Sequence, residues 1–301
     1  MSHFYSNGKL LLSGEYLVLD GARALAVPTK FGQSLEVSTT DTGFIAWQSL
    51  DRQGQAWFTA TYGLRGFEEI DTSNPEISKT LTDILVAAKA LNPNFLKSSK
   101  GCSVKAKLSF PRNWGLGSSS TLINNIAQWA QVNAHQLLWN TMGGSGYDIS
   151  CAQHDHPILY HLENGSPKVE RVDFNPSFKN QLYFIHLNQK QDSRAAIANY
   201  RGQDFDKRSL VSSLSQISRQ MLNTKNLKAF ENTMEAHETI LSKVLKIEPV
   251  QQRLFSDYFG QLKSLGGWGG DFVLATGNEK TPGYFKSKGF EIVLPFSEMV
   301  L

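Results

Sequence analysis

The sequence has few of the features that mark secreted, membrane or nucleic-acid-binding proteins. Only two cysteines occur, Cys102 and Cys151, and their spacing fits neither a disulfide framework nor a zinc ribbon. No apolar run approaches the roughly 20 residues that a membrane-spanning helix needs, and the first residues lack the pattern of a signal peptide. The net charge is only +3, without a dense basic run. We therefore expect a cytoplasmic protein, a monomer or homodimer, that binds neither nucleic acid nor a membrane.

The remaining composition is typical of a folded enzyme-sized chain. Of its 301 residues 41% are hydrophobic and 19% charged, which is enough to bury a core, and the length suggests about two domains. Strand-like segments fill the first third, and helices and strands then follow without regular alternation, which predicts an α+β fold. The turn-rich stretch Glu163–Pro167 is the candidate junction between domains 1–165 and 166–301. The weak positive charge favours an anionic small substrate.

Several local predictions concern the elements that would carry a site. An Asp-Gly turn predicts a hairpin between strands at Tyr16–Leu19 and Ala24–Val27. Apolar spacing predicts short helices at Ala134–Thr141 and Tyr147–Gln153. It also predicts a longer helix over Pro249–Ser264.

The most informative segment runs from Pro111 to Thr121 and reads PRNWGLGSSST. A strand leads into Gly115 and Gly117, then into three serines and a helix. Glycines let the backbone approach a ligand closely, and the start of a helix presents unpaired N–H groups and a partial positive charge. This combination predicts a site for an anion such as phosphate. The alternative is a serine N-cap, and the segment matches neither a Walker A loop nor a Rossmann fingerprint.

Four segments, in order, resemble the motifs of the GHMP kinases, named for galactokinase, homoserine kinase, mevalonate kinase and phosphomevalonate kinase. PRNWGLGSSST is similar to their ATP-phosphate loop, and GKLLLSGEYLVLDG at Gly8–Gly21 is similar to the first motif of the mevalonate and phosphomevalonate kinases. GSGYDISCA at Gly144–Ala152 is close to the segment that carries an active-site aspartate in phosphomevalonate kinases. LGGWGGDFVLAT at Leu265–Thr276 resembles their third, glycine-rich motif.

The resemblance implies a two-domain α+β fold, with a left-handed crossover in the N-terminal domain, a ferredoxin-like C-terminal domain and an active site between the two. It implies an ATP- and Mg²⁺-dependent kinase that transfers the γ-phosphoryl group to a hydroxyl or phosphate of a small acid, mevalonate- or phosphomevalonate-like. Two alternatives stay open: a GHMP protein that binds nucleotide or metabolite without turnover, and an ATP-dependent decarboxylase of the diphosphomevalonate type.

The resemblance also assigns roles to residues. Asp148 would receive or orient the proton of the acceptor hydroxyl, and Lys9 would lie near the transferring phosphate. Ser119 would contact magnesium. The residues expected to hold the ATP phosphates are Gly115, Leu116, Gly117, Ser118, Ser119 and Ser120. The residues expected on the substrate side are Glu15, Lys190, Ser193, Arg194, Gly269 and Gly270. The two glycines would act by packing closely against the phosphate loop.

Simpler interpretations exist for three of these assignments. Asp148 could merely complement a helix dipole, Glu15 could be a solvated hairpin carboxylate, and the segment at Ser193 could be a solvated helix start. One departure from the family also matters. Mevalonate kinases place a magnesium-binding glutamate between the second motif and the aspartate motif, whereas Thr121–Tyr147 contains no acidic residue. Any carboxylate on the metal would come from elsewhere, with Asp148 first and Glu15 or Asp271 behind it.

Overall fold

The computed structural model describes residues 1–97, 100–189, 193–268 and 270–301, with the backbone alone at 193–196. These residues form ten α-helices and twelve β-strands. The helices are α1 Pro75–Leu91, α2 Ser118–Ala130, α3 Ala134–Thr141, α4 Tyr147–Gln153, α5 Ser193–Arg201, α6 Lys207–Asn223, α7 Leu227–Leu245, α8 Val250–Leu254, α9 Thr281–Ser287 and α10 Phe296–Met299. The strands are β1 Ser2–Leu11, β2 Ala24–Thr40, β3 Phe44–Leu50, β4 Ala56–Gly63, β5 Glu69–Thr72, β6 Gly101–Leu108, β7 Ile158–Glu163, β8 Ser166–Arg171, β9 Leu182–His186, β10 Leu262–Ser264, β11 Phe272–Thr276 and β12 Val293–Pro295.

Contacts between residues divide the chain into two compact units. The first unit consists of residues 1–8, 31–112 and 116–153, and the second of 9–30, 113–115 and 154–301. Each unit combines helices with a sheet, so the predicted α+β class is confirmed. The division at residue 165 stays a prediction. The two units are not continuous in sequence, because residues 9–30 and 113–115 belong to the second unit and interrupt the first.

The first unit is built on strands in the order β5-β4-β3-β6-β2. β3 pairs parallel with β6, and the other neighbours in this order are antiparallel. Alternate residues of β3, including Ile45 and Trp47, point into a core that helices α1 to α3 also line. Helix α2 contributes Ile123, Ile126 and Ala127 to this core. Because burial of one face anchors α2, the position of the serine turn at its start is fixed as well.

The second unit contains a four-stranded antiparallel sheet in the order β10-β11-β9-β12. Numbered along the chain within this unit, the order is 2-3-1-4, with helices between the first and second strands and between the third and fourth. That is the βαββαβ arrangement of a ferredoxin-like domain, as predicted. Every residue of Phe272–Thr276 is buried, which explains its continuous apolar pattern. The β7–β8 hairpin also lies in this unit and pairs with the first residues of β2.

The predicted hairpin at the Asp-Gly turn is wrong. Leu17–Asp20 forms a turn of 3-10 helix instead of a strand, and Gly21 ends it with a φ of 93°. Leu17 and Val18, which are adjacent, are both buried, whereas a half-buried strand would alternate. Glycine with a positive φ is typical both of the end of a short helix and of a hairpin turn, so the Asp-Gly pair does not distinguish the two.

The long helix predicted over Pro249–Ser264 is also wrong. Helix α8 ends at Leu254, and the last three residues of the segment form strand β10. Gly260 marks the change, because a Cβ atom there would lie 2.1 Å from the backbone oxygen of Thr276. The short helices α3 and α4 have the predicted bounds. No helix in the described part of the chain is both long and apolar enough to cross a membrane.

Candidate functional site

The serine turn opens helix α2 in the first unit. Gly117 is the N-cap residue, with a left-handed backbone (φ 85°, ψ 39°), and no side chain caps the helix. The three serines therefore occupy the first helical turn, and the alternative of a serine N-cap is wrong. The N–H of Thr121 bonds to the carbonyl of Gly117 at 2.9 Å, which is where the intrahelical ladder begins. The N–H groups of the first turn precede this ladder and lack intrahelical partners, an arrangement that suits an anion.

The three serine side chains differ in exposure and in partners. Ser120 is buried, and its hydroxyl donates to Oδ2 of Asp148 at 3.2 Å. Ser119 is exposed, so its hydroxyl is accessible to a ligand. Ser118 is half-buried, and its carbonyl accepts a bond from the hydroxyl of Thr121 at 3.0 Å. Leu116, just before them, is fully buried and anchors the turn to the unit.

Asp148 is the second residue of the short helix α4. The turn before it contains Gly143, Gly144 and Gly146, all with positive φ, which lets the chain reverse sharply into the helix. The carboxylate is half-buried and accepts the bond from Ser120. The structure thus brings together two residues that the sequence places 28 positions apart.

Lys9, Gly115 and Asp271 come together in the second unit. The Nζ of Lys9, on β1, donates to the carbonyl of Gly115 at 3.1 Å. Gly115 has a φ of 65°, and a Cβ atom there would lie 2.3 Å from Cγ of Asp271. Both the backbone angle and the close approach require glycine at position 115. The first motif, the phosphate loop and the third motif therefore meet at this glycine.

Glu15 lies in the interior of the second unit rather than at its surface. Its side chain is 1% exposed, and Oε1 accepts a bond from Nζ of Lys263 at 2.5 Å. Burial would raise the pKa of Glu15, but the charge of Lys263 and the proximity of His237 together lower it to about 2. Both the solvated hairpin carboxylate and direct contact with a substrate are inconsistent with this burial.

The neighbours of Glu15 connect the first motif to strand β10, which directly precedes the third motif. Glu238 accepts bonds from the backbone N–H and the hydroxyl of Ser264, at 3.0 and 3.1 Å. Nε2 of His237 accepts a bond from the N–H of Gly14 at 3.0 Å. Burial raises the pKa of Glu238 to about 8, since the charge of Lys263 opposes this rise only in part. Burial, followed by the charge of Lys263, lowers the pKa of His237, and the nearby Glu15 opposes this shift.

Sequence reasoning missed His237, Glu238 and Lys263. A weak signal existed for the histidine, because it falls on the apolar face of α7 between Met234 and Leu241. No local pattern indicates Lys263, whose burial depends on the strand that replaced the predicted helix.

The other residues predicted on the substrate side are only partly described. Lys190 and Gly269 lie outside the described residues, and Ser193 and Arg194 belong to α5, of which only the backbone is described at these positions. Gly270 packs against Gln189, whose backbone oxygen would lie 2.8 Å from a Cβ atom on this glycine. Within the described ranges, no three histidine, cysteine or acidic side chains are grouped to hold a metal ion.

Comparison with known proteins supports the fold. No family model and no curated protein sequence matches this chain. Solved structures do match: mevalonate kinase from Methanococcus jannaschii has 17% identity and a TM-score of 0.71, covering 95% of this chain and 94% of that one. Phosphomevalonate kinase from Streptococcus pneumoniae, in complex with phosphomevalonate and AMPPNP, has 15% identity and a TM-score of 0.69, covering 96% of each chain. This chain has the GHMP kinase fold.

The GHMP kinase fold is also that of galactokinase from Lactococcus lactis, solved with galactose. That structure has 13% identity and a TM-score of 0.69, covering 95% of this chain and 87% of that one. The predicted resemblance is thus confirmed for the fold over nearly the whole chain. At these identities the likeness establishes the GHMP kinase fold alone.

Proposed function

We propose that the chain is an ATP- and magnesium-dependent kinase for a small acceptor. The main support is in the first unit, where a helix start without a capping side chain lies beside the Ser120–Asp148 pair. The helix start suits the phosphates of a nucleotide, and the carboxylate of Asp148 suits an acceptor hydroxyl. Phosphoryl transfer requires both, because its catalysis depends chiefly on positioning and on stabilising charge.

The residues of the serine turn fit a nucleotide with its magnesium ion. The N–H groups of the first turn of α2 would hold phosphate oxygens, and the exposed hydroxyl of Ser119 would be an oxygen ligand of the kind magnesium prefers. Magnesium would neutralise charge on the phosphates when bound. Since Thr121–Tyr147 contains no acidic residue, Asp148 is the proposed carboxylate nearest the metal.

Asp148 is proposed to orient the acceptor and take its proton. The bond from Ser120 holds Oδ2, which fixes the direction of the carboxylate. The acceptor oxygen would attack the γ-phosphorus while the bond to the bridging oxygen of the leaving ADP breaks, and the acceptor proton would pass to Asp148. Lys9, bonded to the carbonyl of Gly115, is proposed to hold the loop and to place a positive charge near the transferred group.

The acceptor is proposed to be a small acid of the mevalonate or phosphomevalonate type. This finer proposal is supported by the motif resemblance and by structures such as the Leishmania mevalonate kinase in complex with R-mevalonate. Lys190, Ser193, Arg194, Gly269 and Gly270 remain proposed for the substrate side. Glu15 is not retained there, because its carboxylate is buried.

The test is Mg-ATP consumption with mass analysis of the product. The acceptors would be mevalonate, phosphomevalonate, homoserine, galactose and a heptose phosphate, with Asp148→Asn as the control. We expect one phosphorylated acid and a drop of about a hundredfold or more for the variant. Phosphorylation of a sugar alone would disprove the acid acceptor and keep the kinase. Failure to bind ATP would disprove the proposal as a whole.

One observation favours a second candidate, a nucleotide-binding protein without turnover. The interval after the serine turn contains no carboxylate to hold magnesium. This candidate predicts that an ATP analogue binds with ordinary affinity while no acceptor is phosphorylated. The affinity for the ATP analogue would also be unchanged by Asp148→Asn.

A further inference from the structure

Helix α4 is too short to hold Asp148 in place by itself. It spans seven residues, Tyr147–Gln153, and isolated helices of this length are unstable in water. Its orientation must therefore come from its contacts with other elements. Ile149 packs into the core, and three side-chain bonds add direction: Ser120 to Asp148 at the start, His135 to Ser150 at 3.1 Å in the middle, and Gln153 to Asn124 at the end.

The partner of the last contact belongs to a set of hydrogen-bonded neutral groups, which we call the amide network. Its buried members are Ser6, Gln33, Asn124 and Asn125, and Gln153 is its exposed end. The amide of Asn124 donates to the hydroxyl of Ser6 at 2.8 Å, and that hydroxyl donates to Asn125 at 2.7 Å. Asn125 in turn donates to the carbonyl of Gln33 at 2.9 Å. Asn124 and Asn125 are 1% and 0% exposed, so their side chains are fixed by these bonds.

The amide of Gln153 donates to Oδ1 of Asn124 at 3.0 Å. Asn124 lies one turn after Ser120 on α2, and Gln153 is the last residue of the helix that begins next to Asp148. The same two helices are therefore joined at two points. One bond sets their distance, and the second, further along, opposes rotation of α4 about the first.

We infer that Asn124 and Gln153 are positioning residues that fix the direction of the Asp148 carboxylate. The effect of this bond on turnover rests on the proposed function, whereas its effect on the position of helix α4 does not. Asn124 is held by the amide network and so transmits the rigidity of the core to α4. Gln153 touches no reacting group, and it acts by keeping Asp148 aligned with Ser120.

The decisive variants are at Gln153, because this residue is exposed and its loss does not open the core. Gln153→Met removes the donor but keeps the length of the side chain, and Gln153→Lys restores a donor. Gln128→Met is the matched control. Gln128 is also exposed, lies on α2, and donates its amide to the carbonyl of Tyr5 on β1 at 3.3 Å instead of to a residue of α4.

Two measurements separate the inference from the proposed function. Hydrogen–deuterium exchange of residues 147–153 should become about fivefold faster in Gln153→Met and stay near the parent rate in Gln153→Lys and Gln128→Met. With the acceptor identified, kcat should fall about tenfold in Gln153→Met while the KM for ATP is unchanged. Parent-like exchange in Gln153→Met would overturn the inference. Faster exchange in a protein without kinase activity would instead disprove the proposed function and leave the positioning role intact.

Discussion

The two units bury polar groups close to their candidate motifs in opposite ways. The first unit uses the amide network, whose members are neutral at every ordinary pH. The second unit uses what we call the ionic cluster, formed by Glu15, His237, Glu238 and Lys263. A neutral group in the interior needs only its hydrogen bonds, whereas a charge also needs an opposite charge. The amide network should therefore be indifferent to pH, whereas the ionic cluster should respond to it.

In the ionic cluster, one cation gives two buried carboxyl groups very different pKa values. Lys263 bonds to Glu15, and the pKa of Glu15 is about 2 despite complete burial. Glu238 is buried by the same elements, but its own bonds go to Ser264, and its pKa is about 8. At neutral pH its two carboxyl groups and its lysine are one anion, one neutral acid and one cation. A second anion would lack a partner, which is why burial dominates at Glu238.

The largest effect is expected from Lys263→Met, which leaves Glu15 as a buried charge without its lysine, beside His237 alone. Loss of one partner of a buried pair typically costs about 3–5 kcal/mol. The free energy of unfolding, measured by urea denaturation at pH 7, should fall by about this amount. Adding Glu15→Gln removes the remaining charge and should recover part of the loss. A double variant no more stable than the single one would show that Lys263 matters for packing and not for charge.

The next effect is the pH dependence that Glu238 imposes. Its pKa is raised in the folded protein, so folding favours the protonated form, and stability is lost as the pH rises from the unfolded value of 4.5 towards about 8. Each pH unit in this window costs roughly 1.4 kcal/mol. Glu238→Gln keeps an acceptor for the N–H of Ser264 and a donor for its hydroxyl but has no charge.

We therefore expect Glu238→Gln to be more stable than the parent at pH 8, by up to about 4 kcal/mol, and close to it near pH 5. Thermal unfolding at both pH values measures this difference. The acid side belongs to Glu15, whose lowered pKa means that its contribution is present above 4.5 and disappears as the pH falls towards 2. Identical pH profiles for the parent and Glu238→Gln would contradict the assignment.

The comparison of the units also explains which features the sequence could predict. The amide network lies in a region where local signals are strong: the bounds of α3 and α4 are those predicted, and the serine turn opens α2 as expected. Asp148 was predicted from its motif, and its partner Ser120 on α2 is only 28 positions away. Spacing and turn residues determine such arrangements, because the elements follow one another along the chain.

The ionic cluster could not be predicted in the same way. Glu15 and Lys263 are 248 positions apart, and Lys263 falls in the segment for which apolar spacing predicted a helix. Whether a glutamate is solvated or buried depends on which strand the chain later places against it. A motif can therefore locate Glu15 near a site and still give the wrong environment for its carboxylate. Gly260 was the available clue to a strand, since glycine is a poor helix former.

The smallest effect should come from Asn125→Ala, which breaks the neutral network. It removes the acceptor of the Ser6 O–H and the amide donor to the carbonyl of Gln33, at a cost of about 2 kcal/mol. Since neither partner titrates, urea denaturation should give the same loss at pH 5 and pH 8. Asn125→Asp is the informative counterpart, because it places a carboxyl in the same position without a cation.

Protonated, the aspartate of Asn125→Asp could still donate to Gln33, so this variant should be nearest to the parent at low pH. Burial would raise the pKa of the new carboxyl, and its stability should then fall with rising pH, as at Glu238. Replacing the amide nitrogen of Asn125 by oxygen would thus give the amide network the pH response of the ionic cluster. A flat profile for Asn125→Asp would mean that water or a nearby cation reaches the network, and the contrast between the units would then rest on access to solvent rather than on charge.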